Sequence, residues 1–376
     1  MTQLNRIVLT GGGTGGHIYP ALALCRYLQK KHPNLEVLYI GTDKGLESTI
    51  VPKAGLNFKT VNIQGIKRSL SLENLKTLWL LFNSASKARH ILKDFQPDIV
   101  IGTGGYVAAP VIYAAHKLGI PTIIHEQNSV VGLTNKWLSR YADRIAIAFE
   151  DAFSDFKKYP DKTILVGNPR GQEVIEEPVD RNILKDQFEL DPDKATVLIF
   201  GGSRGAPSIN QAAFDAMNYW QDVPYQIIIA TGTDHYDTFM QQVQLSYESL
   251  PKNIKIVPYI DQMPTVFQAV DLVVCRSGAT TLTELTALGI VSVLIPSPYV
   301  TNNHQEHNAK ALADRGAAEM IYQAELTGET LSQKVEQLMV NEEQHTHMAH
   351  LAYELGMRDT NTQLDQLIQQ LLEDDE

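Results

Sequence analysis

Cysteine is nearly absent from the 376 residues: there are two, Cys25 and Cys275, each isolated. Single cysteines this far apart give neither the paired spacing of a metal site nor a disulfide framework, and they read as two small buried hydrophobes in a reducing cytosol. Long hydrophobic runs are missing as well. The most compact apolar cluster, Leu78-Trp79-Leu80-Leu81-Phe82, falls far short of the roughly 18 residues of a membrane span. Before the first glycines there is only Ile7 to Leu9, too little for a signal-peptide core. Basic residues are outnumbered, 32 Lys and Arg against 43 Asp and Glu, and a net charge of −11 argues against a general nucleic-acid binder. What is there is ordinary: 44% hydrophobic, 20% charged, 25 Gly and 17 Pro, which excludes a disordered or collagenous chain. The length exceeds what one compact core usually holds, so two domains are expected.

The net charge hides a split. Cut after Gly167, the first part carries 20 Lys and Arg against 12 Asp and Glu, and the second 12 against 31, or +8 and −19. A basic half joined to an acidic half implies that one of them faces an anionic partner. Apolar runs of strand length alternate with helical patterns. Strands are predicted at Arg6 to Thr10, Glu36 to Ile40, Asp98 to Ile101, Pro121 to Ile124 and Arg144 to Phe149, with helices beginning near Ile18, Leu72, Ala108 and Gly132. A second set covers Thr196 to Phe200, Gln226 to Ala230, Ile254 to Val257, Asp271 to Cys275 and Val291 to Ile295. Such alternation reads as α/β, two doubly wound Rossmann-like domains with parallel sheets covered on both faces. The expected boundaries are 1–167 for the first domain and 168–345 for the second. Helices over 346–376 would pack back toward the first domain and end in an acidic tail.

Both halves open alike, with a buried strand running into a glycine turn and a helix: Gly11-Gly12-Gly13-Thr14-Gly15-Gly16 and Gly201-Gly202-Ser203-Arg204-Gly205-Ala206. Glycines let the backbone turn tightly and approach a ligand, and the helix start offers N–H groups to a phosphate. The first loop also fits G-x-G-x-x-G, for which Asp43 stands near the end of the second strand, so a dinucleotide fold stays open. No Lys of a P-loop is present. His17, on the first turn of the helix, is a candidate base or a residue that orients a hydroxyl. His125-Glu126-Gln127-Asn128 ends a buried strand with four polar residues at the edge where open parallel sheets bind ligands, and Gly102-Thr103-Gly104-Gly105-Tyr106 adds a glycine loop there.

In the second half, Cys275-Arg276-Ser277-Gly278 leaves a strand and Ala279, Thr280, Thr281, Leu282, Thr283 and Glu284 open a helix. Helix-start amides suit a diphosphate and the carboxylate suits a ribose diol; a plain helix-start acid is the other reading of Glu284. The stretch Thr301 to Asn308 is rich in amides that match sugar hydroxyls and an acetamido group. His304 and His307 lack a third metal ligand, and Asp191-Pro192-Asp193 reads as a turn.

In order along the chain, the Gly12 to His17 loop, Gly104 to Val107, His125 to Asn128 with Gly132 to Lys136, Val166-Gly167-Asn168-Pro169, Gly201 to Ser203, Cys275 to Ala279, and Gln305 with Asn308-Ala309 resemble the MurG family of peptidoglycan N-acetylglucosaminyl transferases. The resemblance implies a GT-B fold, two Rossmann-like domains facing across a cleft. It implies inverting transfer from UDP-N-acetylglucosamine to the C4 hydroxyl of the muramyl sugar of undecaprenyl-pyrophosphoryl-MurNAc-pentapeptide, with no cofactor and no metal for the leaving group. Donor contacts would fall on Ser203, Ile260, Ala279 to Glu284 and Gln305, with Thr14, Gly15, Gly16 and Asn128 closing from the other domain. His17 is then the candidate catalytic base or orienter, and Glu126 the weaker one. Nicotinamide oxidoreductase, UDP-sugar epimerase and nucleotide-sugar sensor are the competing readings of the same loops. A peripheral location at the cytoplasmic face of the membrane is expected. Between Gly65 and Asp94, Lys67, Arg68, Lys76, Lys87, Arg89 and Lys93 flank the Leu78 to Phe82 cluster, a pattern suited to an anionic membrane surface or to an ordinary helix with a basic outer face.

Overall fold

The computed structural model describes residues 4–64, 72–202 and 204–374, the stretch 72–79 by its backbone. The chain forms two compact units, Met1–Glu173 together with Met357–Glu376, and Val174–Gly356.

The first unit runs β1 (Arg6–Gly11), α1 (Gly15–Lys31), β2 (Glu36–Gly41), α2 (Glu47–Lys53), β3 (Asn57–Thr60), α3 (Leu72–Phe95), β4 (Ile99–Gly104), α4 (Ala108–Leu118), β5 (Thr122–Glu126), α5 (Leu133–Leu138), β6 (Arg144–Ile147) and β7 (Thr163–Leu165), then enters α6 (Pro169–Glu176). Its strands order as β3-β2-β1-β4-β5-β6-β7, all parallel, with Ile7 of β1 opposite Val37 on one side and Ile99 on the other. The central strands β1, β4 and β5 are buried at every position but Arg6, and apolar through their middles, because both faces are covered. Ile7 and Leu9 face a core built with Leu24 and Leu28 of α1, while Val8 faces Ala88 and Leu92 of α3 and Val111 of α4.

The second unit continues with α7 (Ile183–Phe188), β8 (Thr196–Phe200), α8 (Pro207–Ala216), β9 (Gln226–Ala230), α9 (Thr233–Ser246), β10 (Ile254–Val257), α10 (Met263–Phe267), β11 (Leu272–Cys275), α11 (Ala279–Leu288), β12 (Val291–Leu294), α12 (His304–Ala313), β13 (Glu319–Met320), α13 (Gly328–Val340) and α14 (Glu342–Leu355). Its parallel sheet has the order β10-β9-β8-β11-β12-β13. The last helix, α15 (Thr360–Asp374), belongs to the first unit.

Two parallel α/β sheets stand where two were expected, and each expected strand is present within three residues of its bounds. Three short edge strands, β3, β7 and β13, were not foreseen; β3 is half-exposed along its length and β13 has two residues, so neither carries an apolar run. The units divide at 173/174 and 356/357 rather than at 167 and 345. The reason lies in the core contacts: Met348 of α14 packs in the second unit, whereas Leu364, Leu367, Ile368, Leu371 and Leu372 of α15 pack against Ile7 and Leu28. At about 1.5–3 kcal/mol per buried apolar side chain, α15 is an integral part of the first core. Asp365, 1% exposed, adds an ion pair to Lys31 and a hydrogen bond with His32 Nε2 at 3.1 Å.

Of the basic-apolar segment, residues 65–71 and the side chains of 72–79, hence Lys67, Arg68, Lys76, Leu78 and Trp79, lie outside the described residues. In the remainder, Leu80, Ser84, Ala85, Ala88 and Leu92 form the inward stripe of α3, and Phe82 is 65% exposed, as Lys87, Arg89 and Lys93 are also exposed. Among the described residues no helix is long and apolar enough to cross a membrane.

Candidate functional site

In each sheet the strand order reverses at one place, between β1 and β4 and between β8 and β11, and in open parallel sheets ligands bind outside the carboxyl ends of the strands at such a switch point. The glycine loop with His17 leaves β1, and the Gly201 loop and α11 follow β8 and β11, while Glu126 ends β5, Asn128 follows it, and Ile260 and Gln305 follow β10 and β12.

At the first, the backbone of Gly12 donates to Gly104 O (3.3 Å), which joins the loop after β1 to the loop after β4. His17, half-buried on the first turn of α1, lies against Gly104: its Nε2 is 3.2 Å from where a Cβ on Gly104 would stand. Its Nδ1 is 2.9 Å from Gly12 O. A carbonyl only accepts, so Nδ1 carries the proton, and in the neutral imidazole Nε2 is the nitrogen that holds the lone pair. Thr103 Oγ1 fixes the helix start by donating to His17 O at 2.6 Å. Thr14 and Gly16 are exposed and Gly15 half-buried, at a helix start that no side chain caps.

An acid does stand at this glycine loop, but it is not Asp43, which is exposed. It is Glu47, fully buried, whose carboxylate accepts from Gly13 N–H (3.0 Å), Thr42 N–H (3.1 Å) and Thr42 Oγ1 (2.7 Å). Gly12 must be glycine here, because a Cβ would come within 2.4–2.6 Å of that carboxylate. Gly13 N–H, which a phosphate-cradling loop would turn to its ligand, is therefore already engaged by a negative charge.

Glu126, at the end of β5 and 2% exposed, accepts four hydrogen bonds. Asn128 N–H (3.1 Å) and Asn128 Nδ2 (3.2 Å) reach Oε1, and Gly132 N–H (3.0 Å) and Asn135 Nδ2 (2.9 Å) reach Oε2. A carboxylate so occupied clamps the loop that carries the half-buried Asn128, and this geometry does not suit the proton-accepting role expected as the weaker alternative. Beside it His125 is buried and neutral. Its Nε2–H donates to Gly167 O (2.8 Å), Gln127 Nε2 donates to its Nδ1 (2.8 Å), and burial holds its pKa below the ordinary imidazole value.

At the second switch point, Ser203 lies outside the described residues. Around it Gly205 has φ +75°, and a Cβ there would stand 2.0 Å from Thr231 O, so the loops after β8 and β9 interlock only through glycine. α11 starts at Ala279 behind Gly278, with no side-chain cap and no acid in its first turn. Thr280 Oγ1 is buried without a hydrogen-bond partner, beside unpaired first-turn amides. Thr281 is half-buried and Thr283 Oγ1 returns to Ala279 O (2.9 Å). Leu282, 1% exposed, is core and has only its backbone to offer; the same holds for Ile260, 4% exposed, in the loop after β10. Glu284 is 6% exposed and adds to the effect of burial in raising the Cys275 thiol.

Gln305, on the first turn of α12, is tied to this helix start through Ser277, whose Oγ donates to Gln305 O (2.7 Å). Its Oε1 accepts from Ser297 N–H (2.8 Å), so the amide hydrogens are what it can present. Arg276 faces inward: it donates to Ile295 O (3.0 Å), Pro296 O (3.3 Å), Ser208 Oγ (2.9 Å) and Gln323 Oε1 (2.7 Å), bracing three segments. Asp191 Oδ1 accepts from Asp193 N–H (3.0 Å), the turn expected there.

Residues 7–147 match the glycosyltransferase family 28 N-terminal domain, and residues 196–372 match the glycosyltransferase family 28 C-terminal domain. The chain belongs to glycosyltransferase family 28. Among its family 28 relatives is the UDP-N-acetylglucosamine–N-acetylmuramyl-(pentapeptide) pyrophosphoryl-undecaprenol N-acetylglucosamine transferase of Bacillus cytotoxicus, 49% identical over 367 residues, 98% of this chain and 99% of the relative. The enzyme of the same description from Limosilactobacillus reuteri is 48% identical over 371 residues, covering 99% and 100%. Among solved structures, Acinetobacter baumannii MurG superposes with a TM-score of 0.78 at 31% identity, covering 97% of this chain and 99% of that one. A UDP-GlcNAc 2-epimerase from Neisseria meningitidis shares the fold alone, at 14% identity and a TM-score of 0.68. The residue at the site that local sequence did not single out is Glu47. Glu47 acts across a loop from a separate helix, so no spacing announces it.

Proposed function

We propose that the chain transfers N-acetylglucosamine from UDP-N-acetylglucosamine to undecaprenyl-pyrophosphoryl-MurNAc-pentapeptide, the glycosyl transfer that completes the lipid-linked disaccharide of peptidoglycan. What supports this most is the 49% identity, across 98% of the chain, with relatives named for that reaction. The C4 hydroxyl of the muramyl sugar attacks the anomeric carbon on the face opposite UDP, so the α-linked donor gives a β-linked product. His17 Nε2 takes the hydroxyl proton or orients it. The N–H groups at the start of α11, with the Thr280 hydroxyl, stabilise the charge that develops on the departing diphosphate, a task a divalent cation performs elsewhere. Glu284 receives the ribose hydroxyls, Gln305 the sugar, Ile260 the uracil through its backbone, and Ser203 the diphosphate. Thr14, Gly15, Gly16 and Asn128 serve the sugars from the first unit.

The acceptor is a lipid, and the reading includes a peripheral station on the cytoplasmic face of an anionic membrane, met by the +8 part of the chain. The exposed Phe82 among the exposed Lys87, Arg89 and Lys93 supports this. The deciding assay is UDP release from UDP-N-acetylglucosamine with and without a lipid-linked muramyl acceptor. Release is expected only with acceptor, matched by disaccharide formed. Equal release in both arms, as an epimerase or a hydrolase would give, or none in either, would overturn the assignment.

A further inference from the structure

Glu47 lies on α2, outside every motif that carried the functional reading, yet it is a fully buried carboxylate aimed at the loop that holds His17. The Gly12-Gly13 peptide unit explains why. Its N–H, on Gly13, donates to Glu47 Oε2 at 3.0 Å, and its C=O, on Gly12, accepts from His17 Nδ1–H at 2.9 Å. In a planar trans peptide these two groups point in opposite directions. A carboxylate that pulls the N–H one way therefore aims the carbonyl the other way, at the imidazole.

We infer that Glu47 is a positioning residue for the transfer reaction, acting on His17 through the Gly12-Gly13 peptide, and that it sets Nε2 of His17 as the proton acceptor. The arrangement is a carboxylate-peptide-imidazole chain. Hydrogen bonds in series polarise one another, so the charge of Glu47 makes Gly12 O a stronger acceptor and steadies the Nδ1–H tautomer. The carboxylate is itself held by Thr42, through the backbone N–H at 3.1 Å and the hydroxyl at 2.7 Å. Gly12 and Gly45 leave it room, since a Cβ on either would come within 2.6 Å of its oxygens or their carbon. The same contact takes Gly13 N–H out of reach of a phosphate. A glycine loop of the phosphate-binding kind thus becomes a base clamp suited to a neutral hydroxyl. This inference rests on the reading of His17 as the group that receives the acceptor proton.

The test uses the full chain, with UDP release driven by the lipid-linked acceptor, in wild type, Glu47→Gln, His17→Ala and the double variant, each checked for folding by its thermal melt. In Glu47→Gln one amide oxygen can still serve Thr42, but an NH2 group faces Gly13 N–H and the peptide loses its aim. The expected result is a fall in kcat of roughly 10–100-fold with the KM for UDP-N-acetylglucosamine within about twofold, since the proposed contacts to the uridine diphosphate lie in the other unit. In the His17→Ala background Glu47→Gln should cost nothing further. Additive losses would mean that Glu47 serves the fold alone and would overturn the inference while leaving His17 in place. Wild-type turnover in His17→Ala would instead defeat the reading of His17, and the inference with it. Histidine 15N NMR of the wild type needs no variant: His17 is expected as the Nδ1–H tautomer at neutral pH, and an Nε2–H signature would overturn the proposal.

Discussion

Replacing Glu126 by Gln separates two roles that a carboxylate at the end of β5 could play. The side chain is 2% exposed and receives four N–H groups, from Asn128 N, Asn128 Nδ2, Gly132 N and Asn135 Nδ2, at 2.9 to 3.2 Å. Gln can offer its one oxygen to the Asn128 pair, but its NH2 group then faces Gly132 N–H and Asn135 Nδ2. Turning the Asn135 amide over would present Oδ1 to the new NH2, at the expense of its hydrogen bond to His125 O (3.1 Å). Either way about two donors lose a charged acceptor. At about 1–3 kcal/mol for each buried donor left unmet, the first unit should be weakened by about 2–6 kcal/mol. For a unit of this size that lowers its melting temperature by about 4–24 °C. Calorimetry of wild type and variant measures the shift, and initial rates on the protein that remains folded measure kcat. The loop should loosen, so KM for the acceptor rises along with the loss of stability. A variant that melts with the wild type while its kcat falls a hundredfold or more would refute the clamp and make Glu126 the base.

Two further outcomes follow from the same structure. Burial holds His125 below its ordinary pKa of about 6.5, so as pH falls through that value the unfolded chain gains a proton that the folded one refuses. The first unit should therefore lose up to about 1.4 kcal/mol per pH unit below about 6.5 until folded His125 protonates. Melts of wild type and His125→Gln between pH 7.5 and 5.5 should diverge in slope, and parallel lines would contradict the argument. For the membrane surface, wild type should cosediment with vesicles rich in anionic lipid more strongly than a Trp79→Ala/Phe82→Ala variant, and equal binding of the two would count against α3 as the contact.

Much of this architecture is legible from local pattern, because a parallel sheet covered on both faces writes its central strands as unbroken apolar runs. Ile7 to Leu9, Val197 to Ile199 and Leu272 to Val274 are all fully buried. The glycine loops are legible for a similar reason: close approach of backbone to backbone leaves no substitute for Gly205. What local pattern cannot convey is which partner a polar group finds after the chain has folded. Glu126 reads as a base or a turn residue until its four donors are seen, and Arg276 reads as part of a ligand loop until its fork is found on Ile295, Pro296, Ser208 and Gln323. Glu47 is the strongest case, since its partners Gly13 and Thr42 belong to two different loops. The boundaries were obscured by the same effect, as the helices α14 and α15 have similar polar-apolar periodicity and differ only in the core that receives them.

The return of α15 to the first unit bears on the order in which the molecule is made. Residues 174–356 are contiguous and hold all of their own core, so they can finish folding as soon as they are synthesised. The first unit, although it leaves the ribosome earlier, waits for Leu364 to Leu372 to close the apolar surface beside Ile7 and Leu28. The domain begun first is completed last. A chain interrupted anywhere before α15 would expose that surface, which gives cellular quality control a ready mark of incompleteness.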